Sequence, residues 1–262
     1  METPARMKSL IVLPAFNESA ALPRTVADLQ ALTGEYELLV VNDGSRDDTG
    51  PLAEELSRTS RLPLHVINLP FNGGIGVAMQ AGYLFALKEG RYKYVVQFDA
   101  DGQHDSRYVE RLVAECEARG LDLCVGSRFL EREEGSYRST FLRRQGSRVL
   151  SALIRLLSGA AATDPTSGFR CMGPRAWSYF ATRYPDDYPE PESLFWCARN
   201  GLKIGEVPVR MRARLAGASS IRPWHSVYYM AKVCLAILVE SVRTKEARSP
   251  CPRNGSTPPQ KK

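Results

Sequence analysis

Along the first half of the chain, short unbroken apolar runs alternate with longer stretches whose apolar residues recur every three or four positions. The runs at residues 10–13, 37–41, 64–69, 94–98 and 121–125 predict strands. The stretches between them, 19–32, 47–59, 74–89 and 106–119, predict amphipathic helices. Strands apolar on both faces and separated by helices predict an α/β protein with a mostly parallel sheet, covered by helices on both sides. Beyond residue 130 the pattern is less regular. Residues 141–157 predict a basic amphipathic helix, and 164–170 a polar loop leading into a short strand. Residues 184–191 predict a proline- and acid-rich loop, followed by a helix to about residue 200 and a strand at 203–207. Residues 224–242 predict a helix apolar on most faces, too short and too interrupted by Lys232 for a membrane span, which needs about 20 apolar residues.

Composition narrows the class without naming a chemistry. The chain has 262 residues, 44% hydrophobic and 24% charged, enough for one large domain or two small ones. Its six cysteines show no C-x-x-C spacing, which argues against a zinc site or a disulfide framework and fits a reducing compartment. No signal peptide is expected from the short polar start. The net charge is +6, but residues 243–262 hold six basic residues against one acid, nearly the whole excess. The body is therefore close to neutral, and a broad nucleic-acid-binding face is not expected. A basic tail suits an anionic membrane surface, or is simply a solvated end.

Candidate chemistry gathers where strands end. The apolar run through Phe98 stops at Asp99-Ala100-Asp101-Gly102-Gln103-His104, two carboxylates one residue apart. Alternation along a strand would face Asp99 and Asp101 the same way, past a strand's C-terminal end, where open α/β sheets bind ligands. Such oxygen donors suit Mg²⁺ or Mn²⁺ shared with substrate phosphates; the other reading is a surface turn. Pro14-Ala15-Phe16-Asn17-Glu18 follows the first strand and Asn42-Asp43-Gly44-Ser45 the second. Asp43 is placed to accept hydrogen bonds from a base or ribose and Phe16 to stack on a base, while Asn17 or Ser45 would also serve as a helix N-cap. Asn72-Gly73-Gly74-Ile75-Gly76 opens a helix, for anion contact or for close packing. Arg128 in Gly126-Ser127-Arg128-Phe129 suits a phosphate, or else a surface salt bridge.

The series P-A-F-N-E, V-N-D-G-S, N-G-G-I-G, D-A-D-G-Q-H, G-S-R-F and D-P-T-S-G-F-R resembles family-2 glycosyltransferases of the GT-A fold across about residues 8–240. The nearest branches are the dolichol-phosphate-mannose-synthase-like enzymes and bacterial cell-surface polysaccharide enzymes. The resemblance implies that Pro14, Phe16, Glu18 and Asp43 hold the base and ribose of a UDP- or GDP-sugar. It implies that Asp99 and Asp101, with Gln103, hold Mg²⁺ or Mn²⁺ on the donor diphosphate. Arg128, Arg144 and Ser147 would surround an acceptor phosphate, and Arg214, with Gly217 and Ser219, would close over the diphosphate. Two departures concern the acceptor: Ser219 is followed by Ser220-Ile221 where the branch has S-K-L, and the Pro189-Glu190-Pro191-Glu192 segment is closer to polysaccharide transferases.

The reaction implied is an inverting transfer, metal-assisted at the leaving diphosphate. With a polyprenyl phosphate acceptor no strong base is needed. With the hydroxyl of a glycan one is, and Glu190, Glu192, Asp186 and Asp187 are the candidates. A sugar-nucleotide-binding module without catalysis is a third reading, which the acidic pair and Arg128 disfavour. The expected organisation is a transferase domain over 1–220 (donor half 8–130, acceptor half 131–220), a helix at 221–242 and a basic tail at 243–262. The expected location is the cytoplasmic face of a membrane, held peripherally through Trp224, Tyr228, Tyr229, the apolar residues Val227, Met230, Val233, Leu235, Ile237 and Leu238, and the basic Arg243, Lys245 and Arg248.

Overall fold

A computed structural model describes residues 8–130, 141–186, 189–212 and 223–242. Seven strands form one sheet: β1 (Lys8–Ala15), β2 (Tyr36–Asn42), β3 (Leu64–Asn68), β4 (Tyr92–Gln97), β5 (Leu123–Ser127), β6 (Arg170–Met172) and β7 (Ile204–Pro208). Their order is β3-β2-β1-β4-β6-β5-β7, and only β6 runs antiparallel to its neighbours. The helices are α1 (Leu22–Leu29), α2 (Thr49–Thr59), α3 (Ile75–Glu89), α4 (Arg107–Arg119), α5 (Phe141–Ser158), α6 (Pro174–Thr182), α7 (Pro189–Arg199) and α8 (Pro223–Val242).

The apolar strands are explained by burial on both faces. Leu10, Val12, Leu39 and Val41 enter one hydrophobic cluster, with α3, α6 and α7 and parts of α5 and α8. Their neighbours Ile11, Leu13, Leu38 and Val40 enter the other, with α1 and α4. Period-two alternation thus divides four consecutive apolar residues between two cores. Chain order reverses between β1 and β4, and the crevice beyond their C-terminal ends is a topological switch point.

Several boundaries differ from the sequence pattern. Neither Asn17 nor Ser45 caps a helix; α1 and α2 begin after Ala21 and Asp48, without a side-chain cap bond. Helix α6, which the pattern did not single out, opens with Pro174 in its first turn, where a missing N–H costs nothing. The segment expected as loop, Pro189-Glu190-Pro191-Glu192, is the first turn of α7. Both prolines fall where the helix has no N–H partner to lose, and both acids sit at the positive end of the helix dipole. Helix α8 is not apolar surface on all sides, because Val233 and Ile237 are fully buried in the core.

Candidate active site

Strand β4 ends at Gln97, so Asp99 and Asp101 lie on a turn beyond it and strand alternation does not orient them. The turn closes through its own groups. Gly102 takes φ +75°, Asp101 Oδ1 accepts the Gln103 N–H at 3.0 Å, and His104 Nδ1 accepts the Asp99 N–H at 3.0 Å. His104 is buried, stacked on Phe169 at 4.6 Å, and burial pushes its imidazole down to about 4. It is therefore neutral, with its proton on Nε2, which stands 3.6 Å from Asp99 Oδ2. The Asp99 side chain is 31% exposed, whereas Asp101 is 5% exposed. Gly168 completes this wall: a Cβ there would lie 3.1 Å from Asp99 Oδ2 and 2.9 Å from Gln97 Nε2. Hard carboxylate oxygens are the donors Mg²⁺ and Mn²⁺ prefer. Among the described residues no three His, Cys, Asp or Glu side chains form a closed metal cage. The pair itself offers oxygen donors of the class such a cation takes.

The loops after β1 and β2 are stitched together beside this turn. Asn17 N–H donates to Ser45 Oγ (3.0 Å), Arg46 N–H to Asn17 Oδ1 (2.9 Å) and Glu18 N–H to Thr49 Oγ1 (2.9 Å). Pro14, Phe16, Glu18 and Asp43 are thereby held at adjacent strand ends, with Phe16 42% exposed. The buried Asp43 carboxylate accepts the N–H groups of Gly73 and Gly74, both at 2.8 Å. The donors that the sequence offered to a ligand anion are thus engaged by an internal one. The glycine at 76 serves packing, since a Cβ there would collide with the Pro185 and Asp186 carbonyl oxygens.

Arg128 forms an ion pair, though with a fully buried acid rather than a surface one. Its Nε and one terminal nitrogen each lie 2.7 Å from the two oxygens of Asp164, and Thr166 Oγ1 accepts a further bond at 2.9 Å. Arg170, missed as a separate residue by sequence reasoning, is fully buried. It donates to Ser167 O (2.6 Å), Pro165 O (2.9 Å) and Ser193 Oγ (2.9 Å), tying the 164–170 loop to α7. Glu190, in the first turn of α7, is half-buried and lies within electrostatic reach of Arg170 and Asp99. Burial raises its carboxyl above the usual range, against the pull of Arg170. The fold, not sequence spacing, therefore brings Glu190 within electrostatic reach of the acidic turn. Glu192 lies two residues further along the same turn, half-buried.

Of the two α5 residues expected around an acceptor phosphate, Arg144 is exposed, while Ser147 is buried with no hydrogen-bond partner for its Oγ among the described residues. Arg214, Gly217, Ser219 and Asp187 lie outside the described residues. Arg212 does not: its N–H donates to Gln103 O at 2.8 Å and its guanidinium pairs with Asp105 and Asp28. The chain leading to Arg214 therefore departs from beside the acidic turn. His104, Asp164, Arg170 and Arg212 carry no sequence signal as site residues. Only their membership in D-A-D-G-Q-H and D-P-T-S-G-F-R marks the first three.

Residues 10–173 match the family model of glycosyl transferase family 2. The polyprenol monophosphomannose synthase of Mycolicibacterium smegmatis is 32% identical over 218 residues, covering 82% of this chain and 81% of its own. The undecaprenyl-phosphate mannosyltransferase of Micrococcus luteus is 32% identical over 221 residues, covering 82% and 88%. Among solved structures, glucosyl-3-phosphoglycerate synthase from Mycobacterium tuberculosis, in complex with Mn²⁺, uridine diphosphate and phosphoglyceric acid, superposes with a TM-score of 0.65. It is 24% identical, and the match covers 93% of this chain and 81% of that one. The fold is the GT-A fold.

Proposed function

The chain belongs to glycosyl transferase family 2, and from this premise we propose that it moves a hexosyl group from a nucleoside-diphosphate sugar to a polyprenyl phosphate. The observation that carries the acceptor class is the likeness, over 82% of the chain, to two enzymes whose names give a lipid phosphate or its mannosyl product. The donor side rests on the stitched loops after β1 and β2, with Pro14, Phe16, Glu18 and Asp43 around the base and ribose of UDP or GDP. Asp99 and Asp101, with Gln103, would hold Mg²⁺ or Mn²⁺, which neutralises charge on the leaving diphosphate as a Lewis acid. His104 fixes the Asp99 backbone, and Arg214 adds positive charge at the leaving group.

The acceptor phosphate oxygen attacks the anomeric carbon opposite the diphosphate, through an oxocarbenium-like transition state. Arg144 and Arg128, the latter braced by Asp164, with Ser147, would hold that phosphate in line. A phosphate monoester is already anionic near neutral pH, so no base is required. The transferase unit is assigned to residues 1–220, with donor half 8–130 and acceptor half 131–220. The enzyme works peripherally on the inner face of the membrane that carries its acceptor.

The raised carboxyl of Glu190, within electrostatic reach of Arg170 and Asp99, favours a second reading, in which a glycan hydroxyl is the acceptor and Glu190 the base. One experiment separates the two. Radiolabelled UDP- and GDP-sugars are offered with a short polyprenyl phosphate or with a glycan primer, in Mg²⁺, Mn²⁺ or EDTA. The lipid reading expects product only with the polyprenyl phosphate, none in EDTA, and less than about a tenfold loss in Glu190→Gln. Primer extension, with a loss of about 10²-fold or more in Glu190→Gln, would establish the hydroxyl reading instead. Full activity in EDTA would remove the metal from the mechanism.

A further inference from the structure

Gln97 is the last residue of β4 and is fully buried. Val95 enters one hydrophobic cluster and Val96 the other, so alternation puts Gln97 on the side of Val95, the side covered by α3, α6 and α7. Neither its carbonyl oxygen nor its amide nitrogen has a hydrogen-bond partner among the described residues. Arg170, opposite Gln97 across the β4–β6 ladder, does not supply one. Its guanidinium goes to Ser167 O, Pro165 O and Ser193 Oγ, and Ser193 Oγ donates in turn to Glu190 O at 3.1 Å. A buried amide left unpaired destabilises a fold, whereas an apolar group of the same shape does not. Such a group in a native core calls for a reason other than packing.

The place of the amide supplies that reason. A Cβ at residue 168 would lie 2.9 Å from Gln97 Nε2, 3.1 Å from Asp99 Oδ2 and 3.3 Å from Asp99 Oδ1. The Gln97 amide and the Asp99 carboxylate therefore converge on one bare Cα, where any residue but glycine would push a side chain between them. One group donates and the other accepts. Asp99 Oδ1 is buried although the side chain as a whole is 31% exposed, so one carboxylate oxygen looks into the protein and the other outward. A carboxylate that ligates a metal through its outward side is set in orientation by donors behind it.

We infer that Gln97 is a positioning residue for the acidic turn, its amide orienting the Asp99 carboxylate toward a bound divalent cation. This rests on the reading in which Asp99 and Asp101 hold that cation. The rival partner for the amide is Glu190: burial raises its carboxyl, and Arg170 and Gln97 pull it back.

The test uses the full chain and two variants. Gln97→Met keeps the length of the side chain and removes both polar atoms; Gly168→Ala leaves Gln97 and Asp99 intact and parts them with a methyl group. Mn²⁺ binding is read by electron paramagnetic resonance, with UDP and separately with GDP, and the melting temperature is read without metal. Both variants should bind Mn²⁺ about 10 to 100 times more weakly. The metal-free melting temperature of Gln97→Met should equal or exceed that of wild type, because an unpaired buried amide has been replaced by a thioether. Saturating Mn²⁺ should restore most of its turnover, a split that damage to the fold would not produce. Undiminished Mn²⁺ affinity in either variant would overturn the assignment. So would a lowered metal-free melting temperature in Gln97→Met, which would mean that the amide serves the fold. Glu190→Gln with the same loss of Mn²⁺ affinity, and no further loss when combined with Gln97→Met, would give the amide to Glu190 and overturn it as well. A wild type that binds no Mn²⁺ with either nucleotide would overturn this role together with the metal reading; the other outcomes leave that reading standing.

Discussion

At the scale of single residues, two buried acids show how charge is divided between stability and chemistry. Glu37 lies at the end of the sheet away from the acidic turn, almost without solvent contact. It accepts bonds from Tyr92 (2.6 Å), Arg91 (2.9 Å), Lys8 (3.0 Å) and His65 Nε2 (3.0 Å). Burial alone would raise its carboxyl, but these donors overcome the desolvation and bring it down to about 2. A depressed carboxyl stabilises the fold above its unfolded value and loses that contribution as pH falls through the folded one. The contribution at neutral pH is of the order of 2 to 3 kcal/mol, given that Lys8 and Arg91 are partly screened by water. Urea unfolding of wild type should therefore show stability falling between about pH 5 and pH 2. Glu37→Gln should be less stable at pH 7 and lose much of that dependence. An unchanged pH profile in the variant would mean that other carboxylates carry it. Asp164 plays the comparable role nearer the site, where its buried carboxylate orients Arg128.

At the scale of elements, the decisive contacts join loops to helices across the switch point. Helix α3 can start where it does because Asp43 receives the Gly73 and Gly74 N–H groups and because residue 76 has no side chain. Gly76 N–H donates to Asp186 O at 3.2 Å, so α3 leans directly on the segment that leads into α7. Gly76→Ala would drive a Cβ into the Pro185 and Asp186 carbonyls. We expect a loss of about 2 to 3 kcal/mol in chemical unfolding, as for other overpacked sites. Under the glycan-hydroxyl reading, in which Glu190 follows that segment as the base, the variant should also lower turnover by more than its stability loss explains. Wild-type stability would show that the 185–186 backbone yields freely.

At the scale of the whole molecule, the two halves of the proposed site come from distant stretches of chain. The donor loops precede residue 105, whereas Glu190 and the approach to Arg214 come from beyond residue 185. Ligand binding should thus couple to global stability. With UDP or GDP and Mn²⁺ near 100 times their dissociation constant, linkage gives about 2.7 kcal/mol, or roughly 5 to 10 °C in melting temperature for a domain of this size. Asp101→Ala should abolish the Mn²⁺-dependent part of the shift and leave the apo melting temperature nearly unchanged. The base that gives the larger shift identifies the donor nucleotide. An equal shift in EDTA would separate nucleotide binding from the metal.

What the sequence determined by itself was whatever repeats locally. The apolar runs specified strands buried on both faces, because period two and period 3.6 are properties of the backbone and need no tertiary information. The acidic pair stood out in the sequence as a candidate for a different reason: two carboxylates one residue apart follow a strand, a pattern that suits a cation as well as a surface turn. Contact was what tertiary structure alone decided. The Asp99 turn is shaped by His104, Arg128 is claimed by Asp164, and Asp43 takes the glycine N–H groups that looked ready for a ligand. Proline misled the local reading at 189–191, since a residue that breaks a helix interior is accommodated in its first turn. Helix α8 reads as apolar on most faces until folding buries one side and leaves the other as a stripe. Hydrophobic pattern shows that a surface must be covered; only packing shows which part the protein covers itself.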